Sequence, residues 1–299
     1  MATDSSDGRL AGLAHNYPAG TYFVLAIALS WAVWLPALSA LSGPRFRLVA
    51  VVPGAFGPLA AAAVVTRLRG GTVRAWLGDA VIWPPSRRWT ALAVVVPVGI
   101  ALALVAVAVA LTGEFAPADP ERALALFGVN VVFASLLGGG QEEFGWRGFA
   151  LPHLQARFDA LTASLIVGAV WALWHAPMFY FGVYGEQPAL YAAGVLAYAI
   201  VFTWYYNSSG GDLLGVVVMH GTLNAAAGLL VMLVGESSSL PVPYEALLAA
   251  GFWTVALAVL VRHGRETLAS GAAIGPDWSE PGPGQHRPAA TRSPSGDDD

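Results

Sequence analysis

Apolar residues run along most of this chain in long blocks with no polar face. A helix that crosses a bilayer needs about 20 mostly apolar residues. Blocks of that size lie near 21–41, 48–66, 90–112, 123–145, 160–180, 189–207, 212–234 and 244–262. The pattern predicts an all-α polytopic membrane protein with about eight transmembrane helices. Pro53 and nearby glycines predict a kinked or short second span. Residues 1–20 read as a polar N-terminal segment, and 264–299, rich in Pro, Gly, Ser and Asp, as a disordered tail. No signal-peptide pattern precedes the first block, which is expected to act as an uncleaved anchor. The blocks show no internal repeat of the kind that builds transporters from two related halves.

Composition agrees: 56% of the 299 residues are hydrophobic and 11% charged, against about 25% charged in soluble domains. There is no cysteine, which excludes disulfides, thiolate metal sites and a cysteine nucleophile. There is no lysine either, so a phosphate loop ending in Gly-Lys is excluded. The net charge of −4 gives no reason to expect a nucleic-acid partner. Arginines cluster between the second and third blocks (Arg67, Arg69, Arg74, Arg87, Arg88) and after the eighth (Arg262, Arg265). The connections at 113–121 and 235–243 are acidic, with Glu114, Asp119, Glu121 and Glu236. The positive-inside rule then expects a multi-pass protein of the cell membrane with both termini cytoplasmic. Arg45 and Arg47 fit that orientation least well.

Charge inside a span is costly and is usually functional or paired. The blocks hold few such groups: Glu142, Glu143 and Arg147 in the fourth, His175 in the fifth, His220 and Asn224 in the seventh, with Asn130 and Gln141 as uncharged additions. Glu143 and Arg147 are four apart, so a helix presents them on one face as an ion pair. His220 and Asn224 have the same spacing. Asp159 lies midway between Glu142 and His175 as a helix cap. An antiparallel turn there would bring those two side chains to one depth, though Pro152 makes the match approximate. Taken singly, each has a plain explanation: a structural ion pair, a helix-bridging histidine, an asparagine between helices, packing tryptophans at 171 and 174. Those explanations account poorly for the whole set, and they leave Glu142 without a partner.

Three motifs, "EEFGWR" (142–147), "WALWH" (171–175) and "HGTLN" (220–224), stand in the order found in the CAAX prenyl-protease and bacteriocin-processing (CPBP, or Abi) intramembrane endopeptidases, which the chain resembles over about residues 120–230. The continuation "GFALPHLQ" is similar too, whereas Trp171 stands where the family more often has phenylalanine. The resemblance implies a protease whose site lies between the fourth, fifth and seventh helices, acting on a membrane-bound protein or peptide, lipidated or not. It divides the chain into N-terminal helices (21–118), a catalytic core (119–235), a last helix within 236–263 and the tail.

On this basis Glu142 is the expected general base, with His175 holding the water and His220 and Asn224 forming an oxyanion hole; Glu143 and Arg147 support the site. No cofactor is expected. The alternative is zinc held by Glu142, His175 and His220. A non-catalytic scaffold or immunity factor, and a small-solute transporter, are the alternatives to an enzyme. Serine-type ("GESS", 235–238) and aspartyl-type ("SGGD", 209–212) chemistries fit poorly, because each lacks its full motif. The protease is expected to work from the cytoplasmic side.

Overall fold

The computed structural model describes residues 4–41, 43–81, 86–113, 120–234 and 243–269, and among these every regular element is helical. The acidic residues Glu114, Asp119 and Glu236, and the expected tail from 270 onward, lie outside them. Seven helices are long and apolar enough to cross a membrane, and the eighth expected block is the apolar helix beginning at Leu213. Val24, Val95, Val129 and Leu257 stand exposed on the outside of the bundle, as lipid-facing positions do.

Helices α1 (Asp4–Asn16) and α2 (Pro18–Ala40) open the chain. The second apolar block is broken into α3 (Pro44–Gly54) and α4 (Gly57–Leu68). Pro53 explains the break, since proline supplies no amide to the preceding turn. The glycines beside it let α2 come close: a Cβ at Gly57 would meet Ser30, and one at Gly54 the ring of Trp34. Trp34 in turn donates its Nε1–H to Val51 O at 2.8 Å. Then follow α5 (Val73–Ala80), α6 (Arg87–Thr112) and α7 (Pro120–Leu136).

The fourth block departs from a regular helix. After α7 the chain bends at Leu137–Gly139, makes one 3-10 turn (Gly140–Glu142) and a short α8 (Glu143–Gly145). A π-helical turn (Trp146–Ala150) and α9 (Leu151–Gln155) complete it. Gln141 holds the bend from inside, accepting from Gly139 N–H and donating to Leu137 O. Pro152 stands at the junction where the π turn passes into α9, so the helical register changes beside it.

Asp159 caps α10 (Ala160–Trp174) as expected, its Oδ1 accepting from Thr162 N at 2.8 Å. A break at His175 leads to α11 (Ala176–Tyr180), then α12 (Pro188–Ser208), α13 (Leu213–Val234) and α14 (Tyr244–Thr267). The last helix is regular to His263, close to its expected end at 262, and Gly264 (φ +73°, ψ 175°) breaks it before a final turn to Thr267. Asn207 holds its final turn through Thr267 O, and Arg265 holds it through Asp159.

Small residues set the helix contacts, as expected where lipid removes any hydrophobic drive between helices. A Cβ at Gly221 of α13 would strike Ser135 of α7, and one at Gly168 of α10 would lie 2.9 Å from Ala199 of α12. One end of the bundle is tied by arginines: Arg69 donates to Ala14 O and Arg157 to Asn16 O.

Candidate active site

Two of the three motifs fall at helix breaks, while His220 and Asn224 lie within α13. Glu142 ends the 3-10 turn after α7, and His175 separates α10 from α11 just before Pro177. Non-helical backbone at membrane depth is tolerated where protein surrounds it or it lines a watery cavity. Here a cavity of about 370 Å3 is lined by Gly138, Glu142, Trp171, His175, His220 and Asn224, with Tyr184, Tyr191, Tyr198, Tyr244 and Glu245 further out. The four residues expected to do chemistry therefore share one space.

The two glutamates are bonded quite differently. Glu143, fully buried, takes Arg147 Nη1 on both oxygens, at 3.0 and 2.8 Å. The expected ion pair is thus present. Glu143 has a second partner that its own helix does not supply: Nδ1 of His220, 2.7 Å from Oε1. The Arg147 guanidinium also lies over the rings of Trp171 and Phe202, at 5.0 and 5.1 Å.

No cation pairs with Glu142. Its Oε2 accepts two indole N–H groups, from Trp171 at 2.9 Å and Trp146 at 3.3 Å. That leaves Oε1 for a water. Trp171, expected only to pack, is therefore a hydrogen-bond donor to the carboxylate as well as a wall of the cavity. Trp146 escaped the sequence reading, although it stands four residues after Glu142 as Arg147 stands four after Glu143. Trp174 does pack, its ring 4.4 Å from that of Trp34, and its carbonyl accepts from Trp31 Nε1.

His175 places Nδ1 2.9 Å from Trp171 O. A carbonyl only accepts, so Nδ1 carries the hydrogen and Nε2 of the neutral ring is an acceptor. His220, whose Nδ1 faces a carboxylate, follows the same logic and keeps Nε2 for other work. Asn224 is the one exposed member of the set, and its Nδ2 donates to Gly138 O at 2.7 Å.

Gly139 shows where His220 and Asn224 aim. Its φ is +135°, and a Cβ built there would lie 2.5 Å from His220 Nε2 and 2.7 Å from Asn224 Nδ2. Two side-chain nitrogens thus converge on one small space beside the bend. Only glycine leaves that space open, and only glycine adopts that backbone readily.

The other polar residues fall elsewhere. Asn130 is exposed on α7, and His153 is half-buried, with Nδ1 2.7 Å from Phe149 O. Among the described residues, no three His, Asp or Glu side chains are gathered closely enough to hold a metal ion. Glu142, His175 and His220 line the cavity without forming such a set.

These features define a multi-pass helical membrane protein with a buried carboxylate, two imidazoles and a carboxamide around an accessible cavity. Residues 124–226, which hold the entire constellation, match the family described as Type II CAAX prenyl endopeptidase Rce1-like. The chain is also 27% identical over 113 residues to CAAX prenyl protease 2 of Methanococcus maripaludis, a stretch covering 35% of this chain and 42% of that protein. Both findings support the CPBP family. The chain thus spans less than half the length of the curated relative it matches.

Proposed function

We propose that the protein is an intramembrane endopeptidase that hydrolyses a peptide bond of a membrane-associated protein or peptide. One observation carries the proposal: Glu142, held by indole N–H groups and, among the described residues, by no ion pair, lines the cavity that His175, His220 and Asn224 share. The match of residues 124–226 to a CAAX endopeptidase family supports the same chemistry.

In the proposed reaction Glu142 Oε1 takes a proton from water while Oε2 stays fixed by Trp171 and Trp146. His175 Nε2 accepts the water's second hydrogen and orients its lone pair. The oxygen adds to the scissile carbonyl, and the new oxyanion occupies the space beside Gly139. Asn224 Nδ2 donates to it through the N–H not used by Gly138 O. His220 is held by Glu143 through Nδ1 and turns Nε2 toward the oxyanion. The proton on Glu142 then passes to the leaving amine as the C–N bond breaks, which leaves a carboxylic acid and a free amine. Glu143 and Arg147 fix the orientation of His220 and do not touch the substrate.

This chemistry requires no metal. Purified protein in lipid or detergent should cleave a membrane-proximal peptide, with activity and cleavage pattern unaffected by chelators. Glu142→Gln should reduce cleavage by about 100-fold or more, the usual worth of a general base, while leaving the melting temperature near wild type. Glu143→Gln should unfold the protein or lower that temperature, since removing one member of a buried pair costs about 3–5 kcal/mol. Equal cleavage by wild type and Glu142→Gln would defeat the mechanism. Full biological function in the Glu142→Gln variant would favour the scaffold reading, and loss of activity in chelator, restored by zinc, would favour the metal one.

The arginine distribution supports a cell-membrane orientation with both described ends, residues 4 and 269, in the cytoplasm. The partners in this reading are the membrane-bound substrate and the surrounding lipid.

A further inference from the structure

Charge and access lie at opposite ends of the bundle. One end is built on arginine: Arg69 reaches Ala14 O at 3.0 Å, Arg157 reaches Asn16 O at 3.2 Å, and Arg265 reaches Asp159 at 2.6 Å. Arg67, Arg74, Arg87, Arg88 and Arg262 belong to helix ends and turns of the same end. The cavity contains no residue from it. From Glu142 and His220 the lining passes outward along Tyr191 to Tyr184, Gly185 and Gln187, before α12, and to Tyr244 and Glu245, at the start of α14. Gly185 and Gln187 are exposed. In sequence that mouth end carries only Arg45, Arg47 and Arg122, beside acidic residues such as Glu121, Glu186 and Glu245.

The positive-inside rule puts the arginine end in the cytoplasm, and it counts basic residues in short loops near helix ends. The mouth then faces the other way. Two sequence expectations, cytoplasmic termini and a site served from the cytoplasm, are incompatible with a cavity that opens where this one does.

We propose that the cavity is entered from the extracytoplasmic face, and that its substrate is an apolar peptide segment displayed there next to a membrane anchor. The substrate part rests on the protease reading above; the direction of access does not. The lining chemistry agrees with an apolar occupant. Phe179, Tyr184, Tyr191 and Tyr244 form an aromatic passage between the exposed rim and the carboxylate. Tyr184 packs against His175 and Tyr191, with ring centroids 5.6 and 5.4 Å apart. Such a passage accepts apolar and aromatic side chains while backbone groups find the polar residues at its floor. A cytoplasmic chain terminus would meet the closed, arginine-bonded end instead.

Because the chain has no cysteine, single cysteines report the direction directly. Glu186→Cys lies at the rim and Arg74→Cys at the arginine end, both exposed and neither part of the site. In spheroplasts a membrane-impermeant maleimide should label Glu186→Cys at once, and Arg74→Cys only after permeabilisation. The reverse pattern overturns the proposal, whatever the protein's activity. Sealed vesicles supply the second arm, with an impermeant fluorogenic peptide of apolar sequence as probe. Right-side-out vesicles should cleave it at least ten times faster than inside-out ones, and Glu142→Gln should remove the difference. Faster cleavage by inside-out vesicles also overturns the direction. Silence from both orientations, with labelling as expected, overturns the substrate assignment together with the protease reading but leaves the direction standing.

Discussion

Glu142 and Glu143 are adjacent in sequence, yet the one-residue step sends them to unlike surroundings. Each has one partner four residues on, an indole N–H for Glu142 and a guanidinium for Glu143. The second partnership was legible, because opposite charges at i and i+4 announce themselves. The first was not, because tryptophan in an apolar block reads as packing. His220 was legible as a member of the site but not as a ligand of Glu143, 77 residues away. Nothing local encodes which carboxylate a distant ring will meet. Gly139, within the run Gly138–Gly140, lets His220 and Asn224 come close to the bend: a Cβ there would lie 2.5 Å from His220 Nε2 and 2.7 Å from Asn224 Nδ2. Gly139→Ala should therefore cut kcat by about 100-fold or more, the scale of losing an oxyanion donor. It should change KM far less, and it should lower the melting temperature, since both the backbone (φ +135°) and the close approach of His220 and Asn224 oppose a Cβ there. Unchanged kcat in a folded Gly139→Ala protein would mean that the oxyanion is held elsewhere.

At the scale of elements, apolar length located the helices but did not reveal where they break. The fourth block reads as one uninterrupted span, because the residues around 137–139 stay apolar or small. The structure shows a bend, a 3-10 turn and a π-helical turn within it. π turns inside α-helices often mark functional sites, and this one holds Arg147 against Glu143. Breaks that depend on local chemistry were legible: Pro53 divides α3 from α4, and Asp159 caps α10. That cap makes a pH prediction. The amide of Thr162, and secondly Arg265, hold the Asp159 carboxyl below its usual range. A depressed carboxylate pKa adds stability that is present above the unfolded value and disappears as pH falls through the folded one. Asp159→Ala should accordingly lower the melting temperature at pH 7. The gap to wild type should close as the pH is taken down into the range where both states of Asp159 are protonated. A gap that stays constant down to pH 3 would show that the charge contributes nothing.

Across the whole molecule, the matched segment does not stand alone. Residues 124–226 contain every group assigned to chemistry and their direct hydrogen-bond partners, but helices outside it brace those partners in turn. Trp31 of α2 holds Trp174 O beside His175, and Trp76 of α5 donates to Gly148 O within the π turn. Tyr22 packs edge-on against Trp146, a donor to Glu142, and a Cβ at Gly145 would collide with Tyr22 and with Pro58 O. On the other side α14 completes the mouth through Tyr244, Glu245 and Leu248. Helices on both sides of the expected core at 119–235 therefore pack against it around the site. A fragment spanning 119–235, expressed in membranes, should give no Glu142-dependent cleavage and should aggregate on extraction in detergent. Supplying residues 1–118 and 236–269 as separate chains should restore part of the activity, because the contacts they make are non-covalent and preformed on rigid helices. Activity from the fragment alone would mean that Trp31, Tyr22 and Trp76 only decorate a site that positions itself. The indole N–H bonds from Trp31 to Trp174 O and from Trp76 to Gly148 O argue that they set it in place.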